Sequence, residues 1–179
     1  GHSSLAAEID GSGSLAKAIY AHTFAAKQSG SARLRIALIA ETIAKLAERK
    51  SGLKVLSFAA GHVRELETLP QEARDKISRF TAIDTDLASL NFAKISAGKI
   101  PFHSHHLNVV KSDIPGDEES DLVYSLGLFD YLSDEHAAVV LQKMWKLTAP
   151  GGQILVANLA PDAANLGFCE AIMDWWMIT

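Results

Sequence analysis

The sequence is poor in cysteine and has no excess of positive charge. Its 179 residues include one cysteine, Cys169, so neither an internal disulfide nor a cysteine-based zinc site can form. Lysine and arginine number 17 against 21 acidic residues, a net charge of −4, which leaves no basic field to hold a polyanion. No apolar run approaches the roughly 20 residues of a membrane span. We therefore expect a cytoplasmic protein that binds neither nucleic acid nor membrane.

Apolar residues are plentiful, and their spacing changes along the chain. At 48% hydrophobic, the composition is sufficient to build a sizeable core. The pattern predicts three parts: an N-terminal helical segment or lid over residues 1–50, an α/β domain over 51–161, and a C-terminal helical segment over 162–179 that looks cut short.

The first fifty residues have helical spacing. Ser14 is a predicted N-cap of a helix that ends near Ser29 and Gly30. A second helix is predicted over residues 32–50, because apolar residues recur there at helical spacing and Ser51-Gly52 follows as a stop.

From Leu53 onward, short apolar runs alternate with helical segments, which is typical of parallel strands joined by crossover helices. Strands are predicted at 53–58, 79–83, about 105–111, 122–126 and 153–157, and helices near 63–69, 86–97 and 134–147. The crossover before the fourth strand is predicted to be a loop, because residues 113–121 are too few for a normal helix.

A turn of small residues follows the first predicted strand. Ala59, Ala60 and Gly61 come directly after it, and Asp84 ends the next strand 23 residues after Gly61. In open α/β sheets, such a turn lets the backbone approach a nucleotide, and an acid about 20 residues later binds its ribose. Any parallel α/β protein also needs a compact turn here, so both readings stay open. A nicotinamide dinucleotide is disfavoured, because the turn lacks G-x-G-x-x-G.

Later segments add to this pattern. Asp113 follows the third predicted strand, the fourth opens into Ser125-Leu126-Gly127 and then Leu-Phe-Asp-Tyr-Leu, and Leu-Thr-Ala-Pro-Gly-Gly precedes the fifth. In this order, the motifs from about residue 53 to 159 resemble a class I S-adenosylmethionine-dependent methyltransferase. The tail Asp-Trp-Trp-Met from Asp174 is similar to a bacterial subgroup that makes 3-hydroxy fatty acid methyl esters.

The resemblance implies a doubly wound, mostly parallel sheet of order 3-2-1-4-5, an enzyme, and S-adenosylmethionine as its cofactor. It also implies roles for individual residues. The backbone of Ala59, Ala60 and Gly61 would face the methionine part, Asp84 would bind the ribose hydroxyls and Asp113 the adenine amino group. Ser125, Leu126 and Gly127 would wall the sulfonium.

The sequence departs from the family pattern at three positions of the turn. Glycine is expected at Ala59 and Val63, and an acid is frequent at Ser57. Alanine at 59 is tolerable if its φ is negative, whereas the stiff Val63 side chain would narrow the approach to the cofactor. These departures support an alternative function, a methyltransferase-like domain that has lost catalysis and serves in binding or scaffolding.

No residue stands out as a catalytic base. His62, Tyr131 and His136 are candidates at the cofactor end of the sheet, although each also suits a purely structural role. Arg64 and Tyr20 are further residues that could reach a ligand carboxylate. The cluster His103, His105 and His106 does not predict a metal site, because a strand directs the third histidine to the opposite face and no cysteine or glutamate nearby completes a ligand set.

The expected partner is a small, partly apolar methyl acceptor. Because the fifth strand forms an edge of the predicted sheet, we also expect either a longer native protein or a homodimer that covers this edge. Packing of Trp175 and Trp176 would contribute to that contact.

Overall fold

The computed structural model describes residues 9–25, 27–116 and 119–160, together with residues 167, 170 and 176. The helices are α1 (Ser14–Ala25), α2 (Lys27–Arg49), α3 (Gln71–Arg74), α4 (Leu87–Ala97) and α5 (Asp134–Lys146). The strands are β1 (Leu53–Phe58), β2 (Ile77–Asp84), β3 (Phe102–His106), β4 (Ser120–Leu126) and β5 (Thr148–Ala157), and short 3-10 helices cover Arg64–Thr68 and Phe129–Tyr131.

The five strands form one sheet in the order β3-β2-β1-β4-β5, with every pair parallel. This is the predicted doubly wound topology. The chain order reverses between β1 and β4, where Ser57 lies opposite Tyr124 and Phe58 opposite Ser125. Such a reversal separates the carboxyl ends of neighbouring strands and leaves a crevice for ligands.

Both faces of the sheet are covered by apolar packing. One cluster joins α2 and α4 to the sheet through residues such as Ile43, Ala93 and Val55. A second, smaller cluster joins α5 to the other face through Met144 and Phe58. Strands that are covered on both faces are expected to be continuous apolar runs, and β1 and β4 are almost entirely buried.

The predicted β1 is confirmed to the residue, and the other strands begin earlier than predicted. The largest error concerns β3, which was predicted at 105–111 but ends at His106. The apolar residues after it form a turn, because the side-chain Oδ1 of Asn108 accepts hydrogen bonds from the amides of Val110 (2.9 Å) and Lys111 (3.2 Å). An Asx turn of this kind competes with strand pairing and ends it.

The N-terminal helices differ in how they pack. The predicted break at Ser29 and Gly30 is wrong, since both residues lie within α2. In α1 no residue is buried, and its apolar side chains, including Leu15 and Ile19, are exposed. The guanidinium of Arg33 stacks over the Phe24 ring at 4.3 Å and ties the two helices together.

Within the described residues, no helix is both long and apolar enough to cross a membrane. The described part of the chain also contains no helix between β3 and β4, in agreement with the predicted loop.

Candidate functional site

A small cavity lies where the carboxyl ends of β1, β2, β3 and β4 converge. Its volume is about 160 Å³. It is lined by the last two residues of β2, Ile83 and Asp84, and by residues that follow each of the four strands, namely Ala59, Thr85, Leu107 to Val110, Leu128 and Leu132. This is the position at which open α/β sheets bind ligands.

The turn after β1 has left-handed backbone at three residues. Gly61 has φ 54°, but Ala59 (φ 50°) and Val63 (φ 45°) adopt the same region without being glycine. The negative φ under which alanine would be tolerated at residue 59 is therefore not present. Val63 does not narrow the approach either, because its side chain is 1% exposed and packs in the larger apolar cluster.

Asp84 braces this turn from β2. Its Oδ2 accepts the Gly61 amide at 2.8 Å, and its Oδ1 accepts the Asp86 amide at 2.9 Å. A carboxylate has about four acceptor positions, so this geometry leaves capacity for donors on a ligand. Asp86 in turn caps α4, and hydrogen bonds from the Ser89 hydroxyl and from the Ala88 and Ser89 amides lower the pKa of its carboxyl.

Asn108, rather than Asp113, lies at the cavity after β3. Asp113 is exposed and is not among the lining residues, because β3 ends at His106 and the chain has already turned away. Sequence reasoning missed Asn108, although an asparagine soon after a strand is itself a turn signal.

The three residues predicted to wall the site after β4 differ in their environments. The Ser125 hydroxyl is buried and donates to the Phe58 carbonyl at 3.0 Å, which clamps β1 to β4. Leu126 is half-buried against the larger apolar cluster. Gly127 has φ 113°, and a β-carbon there would lie 3.2 Å from Arg35 Nη1 and 3.3 Å from Asp130 Oδ2.

Asp130 is a buried carboxylate beside Gly127 that sequence reasoning did not single out. It is 2% exposed and accepts the Leu159 amide at 2.7 Å. Arg35 Nη1 lies 3.5 Å from its Oδ2, so α2 contacts the loop after β4. The contact joins residues 95 positions apart, and no local motif could have predicted it.

A second buried carboxyl lies beneath the turn after β1. Glu65 is 3% exposed and accepts a hydrogen bond from the hydroxyl of Tyr124, which is 1% exposed. Burial raises the pKa of Glu65 above its usual value, although the Tyr124 hydrogen bond opposes this shift. Burial, and then the neighbouring Glu65, raise the pKa of Tyr124.

The three candidate bases do not line the cavity. The His62 ring lies 5.0 Å from the Phe92 ring, and His136 Nδ1 lies 3.2 Å from the Ser133 hydroxyl at the start of α5. Tyr131 is exposed at the end of the second 3-10 helix. Of the two further residues, Tyr20 stacks on Phe24 within exposed α1, and Arg64 opens the first 3-10 helix.

The histidines around β3 are separated. His106 Nε2 lies 2.9 Å from the Thr85 carbonyl, whereas His103 and His105 line another cavity on a face of the sheet. Among the described residues, no group of three acidic, histidine or cysteine side chains could hold a metal ion.

Comparison with known proteins supplies a family. Residues 56–156 match the model of a family described as a methyltransferase domain. This match begins within β1 and ends in β5, so it contains the cavity and all its lining residues. Among curated proteins, no sequence matches the chain.

Solved structures share the fold. A possible exported protein from Bordetella parapertussis is 26% identical (TM-score 0.57, 70% of this chain and 43% of that one). An S-adenosylmethionine-dependent methyltransferase from Mesorhizobium loti is 19% identical (TM-score 0.51, 62% and 49%). The S-adenosylmethionine-bound amino pentose methyltransferase CalS10 from Micromonospora echinaspora is 17% identical (TM-score 0.55, 76% and 57%). The chain thus spans about half the length of these proteins.

Proposed function

The chain belongs to the methyltransferase domain family, whose model matches more than half of its residues, and we propose that it binds S-adenosylmethionine and transfers the methyl group to a small, partly apolar molecule. The observation that carries the proposal is the cavity at the ends of β1 to β4, with Asp84 at its edge and the left-handed turn beside it.

The residues present suit the two ends of this cofactor differently. The cavity of about 160 Å³ is below the roughly 300–1,000 Å³ of most ligand pockets, so it suits the adenosine end alone. In this proposal Asp84 accepts the ribose hydroxyls and Asn108, in place of Asp113, faces the adenine. The backbone of residues 59–61 and of Ser125, Leu126 and Gly127 lines the path of the methionine part.

The chain's own contribution to methyl transfer is alignment and exclusion of water. The bound cofactor supplies an electrophilic methyl group on a positively charged sulfonium. Holding donor and acceptor in line is worth roughly 7–11 kcal/mol, and a carboxylate acceptor would need no base. For a carboxylate acceptor the proposal requires no catalytic base, in accord with the positions of His62, Tyr131 and His136 outside the cavity.

The acceptor is proposed to bind against the N-terminal helices. Arg35 of α2 reaches the loop after β4, and α1 and α2 carry exposed apolar residues, including Phe24 and Leu34. These features support a lid within residues 1–50, and the cofactor domain over 51–161 and the further segment over 162–179 stay part of the proposal. A fatty acid carboxylate is one acceptor of this kind, but the tail motif that suggested the subgroup lies almost wholly outside the described residues.

Two further expectations belong to the proposal. A cytoplasmic location agrees with the single cysteine. A homodimer would cover the outer edge of β5, where Val156 is exposed.

A domain without catalysis remains the second candidate. Left-handed backbone at Ala59 and Val63 favours it, because this conformation is strained for both residues. A turn that relaxes to an unstrained shape would lose the backbone geometry that binds the cofactor.

Calorimetric titration with S-adenosylmethionine and S-adenosylhomocysteine tests the proposal. We expect saturable binding of both, and methyl transfer to a panel of amphipathic carboxylates and amines. Asp84→Ala should weaken binding by about 1.5–3 kcal/mol, the value for hydrogen bonds to a charged acceptor, whereas Asp113→Ala on the exposed loop should change it little. Absence of binding by the unaltered protein would refute the function, and binding without transfer would favour the second candidate.

A further inference from the structure

The turn of residues 59–63 keeps a backbone shape that its residues disfavour. Left-handed φ is strained for Ala59 and more so for β-branched Val63. Such a conformation persists only where the surrounding structure over-determines it. The structure must therefore contain contacts that hold this turn.

One set of contacts comes from β2. The Ala60 amide donates to the Ile83 carbonyl at 3.0 Å, and the Gly61 amide donates to Asp84. These bonds hold the middle of the turn. They do not hold its downstream end, where the chain enters the 3-10 helix Arg64–Thr68.

The C-terminal end of the turn, next to Val63, is held by a buried hydrogen bond. Glu65, the second residue of the 3-10 helix, accepts the hydroxyl of Tyr124 on β4. Ser57 of β1 lies opposite Tyr124 in the sheet. The hydrogen bond therefore ties the 3-10 helix that follows the turn to β4, the strand that pairs with β1.

We propose that the buried Glu65–Tyr124 hydrogen bond holds the turn of residues 59–63 in its left-handed shape where glycine is absent, and that Glu65 is a positioning residue for the candidate site. Two features support this: the pair anchors the element that follows Val63, and a buried carboxyl is retained only with a compensating partner. The link to cofactor affinity rests on the proposed function.

A merely stabilising role makes a different prediction. If Glu65 only adds to global stability, its removal and the relief of strain at Ala59 act independently. If Glu65 imposes the strained shape, Ala59→Gly matters most when Glu65 is missing, because glycine adopts left-handed φ without strain. Non-additivity between the two substitutions therefore identifies positioning.

Amide hydrogen exchange at Ala60 and Gly61 tests this without any ligand. We expect Glu65→Ala to speed exchange at both amides at least tenfold, and Glu65→Gln, which keeps an acceptor for Tyr124, to stay within about threefold of the unaltered protein. Adding Ala59→Gly to Glu65→Ala should restore most of the protection. Ile77→Ala, at the opposite end of β2, is the control for general destabilisation.

Calorimetry with S-adenosylhomocysteine tests the consequence for binding. We expect Glu65→Ala to raise Kd about tenfold, and the added Ala59→Gly to recover most of that loss. The inference is overturned if Ala59→Gly changes amide exchange and Kd equally with and without Glu65. It is also overturned if Glu65→Ala speeds amide exchange throughout the protein, as Ile77→Ala does, rather than at Ala60 and Gly61.

The two proposals fail separately. If the unaltered protein does not bind S-adenosylhomocysteine, the proposed function fails, and the exchange measurement still decides whether Glu65 holds the turn. If Glu65→Ala does not fold, Tyr124→Phe removes the hydroxyl from the other side and is measured with and without Ala59→Gly in the same two assays.

Discussion

The turns after β1 and after β4 lie side by side at the topological switch point, and they reach unusual backbone conformations in different ways. After β4, Gly127 supplies φ 113° through its own lack of a side chain. After β1, Ala59 and Val63 adopt left-handed φ with side chains present. Each turn has a buried carboxyl beside it, which is Asp130 at the turn after β4 and Glu65 at the turn after β1. The difference indicates that a backbone shape can be supplied by the residue itself or by its surroundings.

The largest expected effect comes from removing the carboxyl beside the glycine turn. Asp130→Ala leaves the Leu159 amide and Arg35 without their buried acceptor, so we expect a loss of about 3 kcal/mol in the free energy of unfolding. Denaturant unfolding measures this. Asp134→Ala, on the exposed first turn of α5, is the control, and a loss below about 1 kcal/mol for Asp130→Ala would mean that the β4 turn does not depend on its carboxyl.

Gly127→Ala should destabilise the protein by about 2 kcal/mol, since φ 113° is strained for alanine and the new β-carbon would crowd Arg35 and Asp130. The matched variant is Gly151→Ala, where φ is also positive but a new β-carbon would have no neighbouring atom within 4 Å. Thermal and denaturant unfolding of both variants isolates the crowding. Equal losses would show that Arg35 and Asp130 can move aside.

The carboxyl beneath the β1 turn should give a pH-dependent difference. Burial raises the folded-state pKa of Glu65 above its usual value of 4.5, so the folded protein retains a proton that the unfolded chain releases. Stability from this group is present below the unfolded pKa and is lost as pH rises through the folded one. The unaltered protein should therefore lose stability relative to Glu65→Gln above about pH 4.5, by at most about 1.4 kcal/mol per pH unit.

Denaturant unfolding of both proteins between about pH 4 and 8 measures this difference. Other titrating groups are shared and cancel in the comparison. A constant difference across the series would mean that the Glu65 carboxyl titrates alike in the folded and unfolded states.

The smallest expected effect is a gain. Ala59→Gly relieves left-handed strain but makes the unfolded chain more flexible, so we expect a net stabilisation of about 0.5 kcal/mol. Ala60→Gly, in the same turn but without positive φ, should destabilise instead. A loss of stability in Ala59→Gly would indicate that the turn carries no strain at this residue.

Features that depend on local spacing were predicted well. The continuous apolar run of β1 and the capped helix that begins after Asp86 could be read directly, because burial on both faces and N-capping leave local patterns. The end of β3 could not be predicted in this way, because the segment from Leu107 to Val110 is as apolar as a strand. Only the hydrogen bonds of the Asn108 side chain turn the chain there. That error placed Asp113 directly after the strand, whereas Asn108 is the residue that lines the cavity there.

The sequence by itself determined the alternation of parallel strands and crossover helices, and its resemblance to a known family supplied the sheet order and the approximate place of the ligand crevice. Only the tertiary structure decided the backbone of the site. The φ values of Ala59 and Val63 run against local preference, and Asp84, Asp130 and Glu65 take partners from distant parts of the chain. Such contacts form only when the folded core brings these elements together and excludes water from them, so no local pattern of residues records them.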